Sequence, residues 1–288
     1  HTHHYCSFIP ELTALVGRER KIPTFVTFHN TLLEGNLPRR TLGFFYLLGM
    51  QPFLYLYKKV FFISKYLRDK WAFGLLPNAR KPILYNKLTP PPKRERNITK
   101  NTIVYLGRLT HQKGIDILLK AMKVVVKKVP DVKLRIIGPG EKDYVNMLKE
   151  LTKKLGLENN VQFLGKKFGD DKWNLLYSSE VMVVPSRDEG FGNVVIEGQG
   201  CKLPLVVSNK GSVREAAGGN CLVFDINSPR DLAAKIIVLL SDNELSQMLS
   251  NSGKNHADQF TNRDMGAELD NHYLTFKCLG KKVMTNIL

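Results

Sequence analysis

At 288 residues, with 43% hydrophobic and 24% charged content, the chain holds enough apolar matter for one large domain or two of ordinary size, so disorder is not expected. Its four cysteines, Cys6, Cys201, Cys221 and Cys278, lie far apart with no Cys-x-x-Cys pair, which argues against a zinc site or a small disulfide scaffold and points to a reducing cytoplasm. The formal charge of +17 is uneven: residues 1–100 carry 17 Lys and Arg against 5 Asp and Glu, a bias that suits nucleic acid, an anionic membrane face or an anionic substrate without choosing among them.

The chain opens on His1-Thr2-His3-His4-Tyr5, with neither an initiator methionine nor a signal-peptide pattern, so a fragment of a longer reading frame is expected. Residues 1–88 read as an α/β piece too short for a complete domain, with its clearest strands at 22–28 and 60–63. Residues 41–57 carry no charge and are flanked by Arg39-Arg40 and Lys58-Lys59. At about 17 residues, broken by Gln51-Pro52, this stretch is short for a membrane span, and a buried or interfacial helix is expected instead. The aromatics Phe44, Phe45, Tyr46, Phe53 and Tyr55 would then pack on the sheet, and the surrounding cations leave peripheral contact with an anionic membrane open. Next comes Thr89-Pro90-Pro91-Pro92-Lys93-Arg94-Glu95-Arg96, whose prolines and charges suit an interdomain linker over 89–100.

From residue 101 onward short apolar runs alternate with segments of helical period, the pattern of βα units around a parallel sheet. Strands are expected at 102–106, 132–137, 161–164, 181–184, 205–207 and 222–224. Ile115, Leu118, Leu119, Met122, Val125, Val126 and Val129 recur at spacings of three and four, giving a helix with one apolar face that Pro130 ends. A second helix is expected at 141–155, and Ser228-Pro229-Arg230-Asp231 supplies an N-cap, a first-turn proline and an acid that open a third. About six such units make one Rossmann-like domain over 101–265, followed by a helix or tail over 266–288.

Two loops carry the chemistry. Ser186-Arg187-Asp188-Glu189-Gly190-Phe191-Gly192-Asn193-Val194-Val195-Ile196-Glu197 follows a buried strand, and its glycines let the backbone turn sharply before a helix begins near Gly192. The start of a helix offers unpaired N–H groups and partial positive charge, suited to phosphate or sugar oxygens. Glu189 stands at the mouth of that turn and Glu197 about two helical turns further in. The other loop, Gly107-Arg108-Leu109-Thr110-His111-Gln112-Lys113-Gly114, sits between the first strand of the domain and its amphipathic helix, where ligands of such sheets bind. Arg108 can grip a phosphate with two parallel bonds and Lys113 adds a compact charge, so the two could neutralise a diphosphate.

Together these stretches resemble glycosyltransferase family 4, retaining enzymes of the GT-B fold, whose pattern of G-R-x-x-x-x-K-G, then P-S-x-x-E-G-F-G with a second Glu eight positions after the first, then G-x-x-x-E, is met at 107–114, 185–197 and 211–215. The likeness covers 101 to about 265, and it implies an α/β chain with a Rossmann-like C-terminal domain and a partial, N-terminally shortened second one on the acceptor side. It implies that Arg108 and Lys113, with Gly107, hold the diphosphate of a nucleotide sugar. Glu197 would take the ribose hydroxyls, and Glu189 with the backbone of Gly190, Phe191, Gly192, Asn193 and Val194 the transferred sugar. His1-Thr2-His3 and Thr27-Phe28-His29 resemble the family's H-x-H and T-x-H strand ends, and His3 aligns with the histidine that faces the donor sugar. The resemblance also implies that roughly 80 to 100 residues of the family's N-terminal domain have no counterpart here. The chain departs from the family at Lys202-Leu203-Pro204, where a glycine usually stands two before the proline, and at Tyr85-Asn86-Lys87, where an I-P-N-G-V-D turn is common.

The expected reaction is metal-independent transfer of a glycosyl group from a nucleotide sugar to a hydroxyl of a glycan or lipid-linked acceptor, as in cell-surface glycan, polysaccharide or glycolipid synthesis. With no D-x-D motif, protein cations rather than a metal would neutralise the leaving group, and no resident cofactor is expected. The competing expectation is a catalytically incomplete nucleotide-sugar binder or one half of a split enzyme. Nucleic acid is not expected as a partner, because the basic third holds no recognised RNA or DNA module. A cytoplasmic place, peripheral at the inner face of the cell membrane, goes with these readings.

Overall fold

The computed structural model describes residues 1–4, 8–29, 45–46, 49–50, 52–71, 77 and 80–284. Two compact units divide the chain, residues 1–87 with 262–288 and residues 88–261.

In the smaller unit three parallel strands, β1 (Thr2–His4), β2 (Phe25–Phe28) and β3 (Lys59–Phe62), pair in the order β1-β2-β3. The second strand starts three residues later than the sequence suggests: Lys21 turns at φ 54 and Pro23 has no N–H to give a ladder. Helix Ile9–Glu19, not foreseen from the sequence, links β1 to β2 and buries a stripe of Pro10, Glu11, Ala14 and Gly17. Its larger apolar residues point the other way, with Phe8, Ile9, Leu12, Leu15 and Val16 all exposed. The C-terminal helix Met265–Met284 joins this unit, where Met265, Leu269 and Tyr273 pack against Phe25, Phe61 and Leu84. The uncharged stretch 41–57 is described only in part; within it Met50, Leu54 and Tyr57 are buried and Phe45 is exposed. Cys6, Arg39, Arg40 and Phe44 lie outside the described residues. Among the described residues no helix is long and apolar enough to cross a membrane.

The larger unit is a six-stranded parallel sheet made of β4 (Thr102–Leu106), β5 (Lys133–Ile137), β6 (Val161–Gly165), β7 (Val181–Val184), β8 (Leu205–Ser208) and β9 (Leu222–Phe224). Their order, β6-β5-β4-β7-β8-β9, is the doubly wound Rossmann arrangement. The central strands β4, β7 and β8 are buried along their whole length, which is why they read as unbroken apolar runs rather than alternating ones. Helix Ile115–Lys128 turns Ile115, Leu118, Leu119, Met122 and Val125 inward, and it packs against helix Pro229–Ser241. The latter is capped as its sequence suggests, Ser228 Oγ accepting from Asp231 N at 3.1 Å. Helices Gly169–Tyr177 and Asn243–Thr261 were not foreseen. Because β4 and β7 are neighbours, their connections leave in opposite directions and open a crevice at their C-terminal ends.

Residues 89–100, read from sequence as a linker, form no helix or strand but run along this larger unit. The prolines cannot supply ladder donors, so arginines fasten the segment instead. Arg96 donates to the carbonyls of Lys202, at 2.6 Å, and Ser179, while Arg94 pairs with Asp170 and Tyr177 Oη donates to Pro92 O at 2.6 Å.

Lys202, one of the departures from the family pattern, closes helix Asn193–Gly200 in a left-handed conformation with φ 57. Leu203 N donates to Gly198 O at 3.0 Å and Lys202 N to Gln199 O at 2.9 Å, the bond pair of a Schellman cap whose left-handed position favours glycine. A non-glycine residue there costs about 1 kcal/mol. Lys202→Gly should therefore raise the unfolding free energy by up to about 1 kcal/mol, the gain tempered by glycine's greater freedom in the unfolded chain. Urea denaturation measures it, and a clear loss of stability would contradict the strain.

Candidate functional site

The loops after β4 and β7 meet at the crevice. The first runs from Gly107 through the 3-10 turn His111–Lys113 to Gly114, which opens helix Ile115–Lys128 at φ 68. The second runs from Pro185 to Gly192, the N-cap of helix Asn193–Gly200. Their contact depends on glycine: a Cβ at Gly114 would lie 1.9 Å from the carbonyl oxygen of Pro185. Arg187 N donates to Gln112 O at 2.7 Å and the Arg187 guanidinium to His111 O at 2.5 Å. The same guanidinium grips both oxygens of Asp116 at 2.8 and 2.7 Å. Burial alone would raise the pKa of Asp116, but the hydrogen bonds and charge of Arg187 outweigh it and hold the carboxyl below its ordinary value.

Across this junction Lys113 Nζ donates to Glu189 Oε2, with the two side chains only 15% and 16% exposed. The main chain of Glu189 is set from a third side, its carbonyl accepting from Ser212 N at 3.2 Å and Ser212 Oγ at 2.9 Å. Gly211 lets that segment close in, since a Cβ there would stand 2.6 Å from Glu189 N. Arg108 is exposed, and Tyr105 Oη donates to its carbonyl at 2.8 Å. Burial, then the charge of Glu189, pushes the Tyr105 phenol well up while Arg108 opposes, so both charges bear on one hydroxyl. The cation Lys113 and the acid Glu189 thus converge on one place.

Phe191 is buried with its ring 5.4 Å from Phe260, so the side chain belongs to packing and the backbone is what this position can offer. Gly190 is half-buried, Asn193 exposed and Val194 half-buried at the positive end of helix Asn193–Gly200. Glu197, further along that helix, accepts from Lys172 Nζ at 3.1 Å, and Lys172 lies 3.8 Å from the centre of the Trp173 ring. Burial pushes Cys201 up to about 12 and Cys221 up to about 11, so neither thiol is a ready nucleophile.

His3 belongs to the smaller unit, where β1 sets it level with Thr27 of β2. Its Nδ1 lies 2.8 Å from His29 Nε2, and the His1 ring stacks on it at 5.1 Å while His1 Nε2 lies 2.7 Å from Thr27 Oγ1. The paired strand ends therefore form one polar cluster. Burial, then His3, lowers His29 from 6.5 to about 4, which keeps it neutral at pH 7.

Residues 88–256 match the family described as glycosyl transferases group 1. The chain belongs to that family. An uncharacterized glycosyltransferase of Methanocaldococcus jannaschii is 29% identical over 215 residues, 70% of this chain and 55% of that protein. The capsular polysaccharide biosynthesis glycosyltransferase CapM of Staphylococcus aureus is 30% identical over 177 residues, 60% of this chain and 46% of CapM. The chain thus spans about half the length of the curated relatives it matches. Among solved structures, Anabaena HepE in complex with UDP-glucose is similar with a TM-score of 0.73 at 20% identity, covering 91% of this chain and 77% of that one. The fold is that of GT-B glycosyltransferases.

The sequence reading assigns no part to Asp116, Lys172, Arg187 or Ser212. Arg187 sits two positions before Glu189 inside a motif already singled out, which was a usable signal. Asp116 and Lys172 read as ordinary surface charges until the fold brings their partners to them.

Proposed function

We propose that this chain holds the donor-binding part of a retaining glycosyltransferase that moves a sugar from a nucleotide diphosphate to a hydroxyl acceptor in glycan, polysaccharide or glycolipid synthesis. The observation that carries the reading is the Lys113–Glu189 pair, joined across two loops at the switch point of a doubly wound sheet. An ammonium has three donors, so Lys113 can keep Glu189 while donating to a phosphate oxygen. As the anomeric C–O bond breaks, negative charge grows on the diphosphate, where Arg108, Lys113 and the start of helix Asn193–Gly200 stabilise it without a divalent ion. Glu189 and the backbone from Gly190 to Val194 orient the sugar, Glu197 takes the ribose hydroxyls, and His3 keeps the part its resemblance implies. CapM's role in capsular polysaccharide and the UDP-glucose held by HepE are in keeping with this substrate class.

Calorimetric titration of the chain with UDP, GDP and ADP in the presence of EDTA tests both donor and metal independence. One of the three should bind; no heat with any of them sinks the donor reading, and binding only after magnesium is added sinks the metal-free one. Binding without transfer to any acceptor is the result expected of an incomplete binder or of one half of a split enzyme.

Peripheral membrane contact is favoured by helix Ile9–Glu19, whose exposed Phe8, Ile9, Leu12 and Val16 are followed by Arg18, Arg20 and Lys21. The chain should sediment with phosphatidylglycerol vesicles, and Leu12→Asp should weaken this several-fold. Equal recovery with neutral phosphatidylcholine vesicles counts against an anionic surface.

A further inference from the structure

Lys113 and Glu189 come from separate loops, and an ammonium is a point charge with freely rotating donors, so their ion pair alone does not set the distance or angle between them. The side chain of Arg187 does what Lys113 cannot. It stands two residues before Glu189 and reaches across to the other loop, gripping Asp116 through two near-parallel bonds of 2.8 and 2.7 Å and the carbonyl of His111 at 2.5 Å. A planar guanidinium held at three points has little rotational freedom. Its two anchors flank Lys113 on either side in sequence, His111 before it and Asp116 after it. The segment carrying the cation is therefore pinned on both sides of Lys113 by a residue of the loop carrying the acid.

We infer that Asp116 and Arg187 form a positioning brace that fixes how the loop carrying Lys113 meets the loop carrying Glu189, so that the joined pair faces one ligand. The inference rests on the reading of those two residues as donor-binding groups. Neither member of the brace is a catalytic residue: both oxygens of Asp116 and both terminal nitrogens of Arg187 are engaged with each other and with the loop backbone. The roots of the loops are also joined by the Gly114–Pro185 contact and by Arg187 N to Gln112 O, which survive any change of the Arg187 side chain. Loss of the brace is thus expected to loosen the two loops while leaving the sheet folded.

The test compares Arg187→Lys, Arg187→Gln, Asp116→Asn and the double variant D116N/R187Q. Readouts are melting temperature, amide hydrogen exchange, and affinity for UDP, GDP and ADP. Arg187→Lys keeps the charge but cannot make two parallel bonds. Exchange at 108–113 and 186–190 should quicken by about tenfold in Arg187→Lys and Asp116→Asn, with melting temperatures near the parent's. Affinity for whichever nucleotide the parent binds should fall by about tenfold or more, and the double variant should be no weaker than the poorer single one, as expected of a coupled pair. Unchanged exchange and affinity in Arg187→Lys would overturn the inference, as would faster exchange spread evenly over the whole unit with a lowered melting temperature. If Arg187→Gln does not fold, the Lys and Asn variants decide. If the parent binds none of the three nucleotides, the donor reading has failed, while the exchange rates still decide the brace.

Discussion

Lys113→Ala should weaken binding of a nucleoside diphosphate by about 100-fold and, in a version of the protein competent for transfer, reduce turnover by roughly 10²- to 10³-fold. Two effects add. The substitution removes a cation from the diphosphate, and it leaves Glu189, only 16% exposed, as a negative charge without its Lys113 partner beside the anion it must admit. The second effect separates this case from ordinary charge loss: K113A/E189A should recover part of the lost affinity for the nucleoside diphosphate. Glu189→Ala alone should leave nucleoside diphosphate binding largely intact but abolish transfer, because its proposed contact is with the sugar. Calorimetry on the three variants gives the answer. A double variant that binds more weakly than Lys113→Ala, or undiminished turnover in either single variant, would remove these residues from the site.

Gly114→Ala is expected to be almost as damaging although it changes no charge. The new Cβ would sit 1.9 Å from the carbonyl oxygen of Pro185, a separation no carbon–oxygen contact tolerates, and the residue lies at φ 68. The loops must part by about 1 Å, a displacement worth roughly 100-fold where two groups act on one ligand. Stability should fall by about 2–4 kcal/mol, the range of a clash combined with left-handed strain. Gly156→Ala is the control, since Gly156 has nearly the same φ of 69 with nothing within 4 Å of the added carbon. It should lose only about 1 kcal/mol and leave ligand binding unchanged. Urea unfolding and nucleotide titration of both variants isolate the loop contact from the backbone strain; equal losses in the two would show that the Pro185 contact does not matter.

Much of the larger unit was legible because its signals are local. A parallel strand buried on both faces must be an unbroken apolar run, as in Val181–Val184, and a helix lying on such a sheet must repeat its apolar residues at three and four, as Ile115 to Val125 do. Turn glycines and the Ser228 cap are likewise read from a few adjacent residues. Helix Ile9–Glu19 does space Ile9, Leu12, Leu15 and Val16 at helical intervals, but the fold turns that stripe outward and buries Pro10, Glu11, Ala14 and Gly17, so the spacing does not mark its core face. Residues 89–100 read as an interdomain linker because prolines and charges build no packed core, and charge is also what Arg94 and Arg96 use to hold the segment down.

By itself the sequence determined which residue types stand at the ends of β4 and β7, and so that a cation-bearing loop and a glycine-rich turn would face one crevice. Only the tertiary structure decided how those loops meet: that Lys113 finds Glu189, that Arg187 crosses to Asp116, and that Lys172 reaches Glu197. The physical reason is range. Periodicity, capping and turn chemistry act over a few neighbouring residues, whereas an ion pair between positions 76 or 71 apart exists only once the sheet has closed the distance.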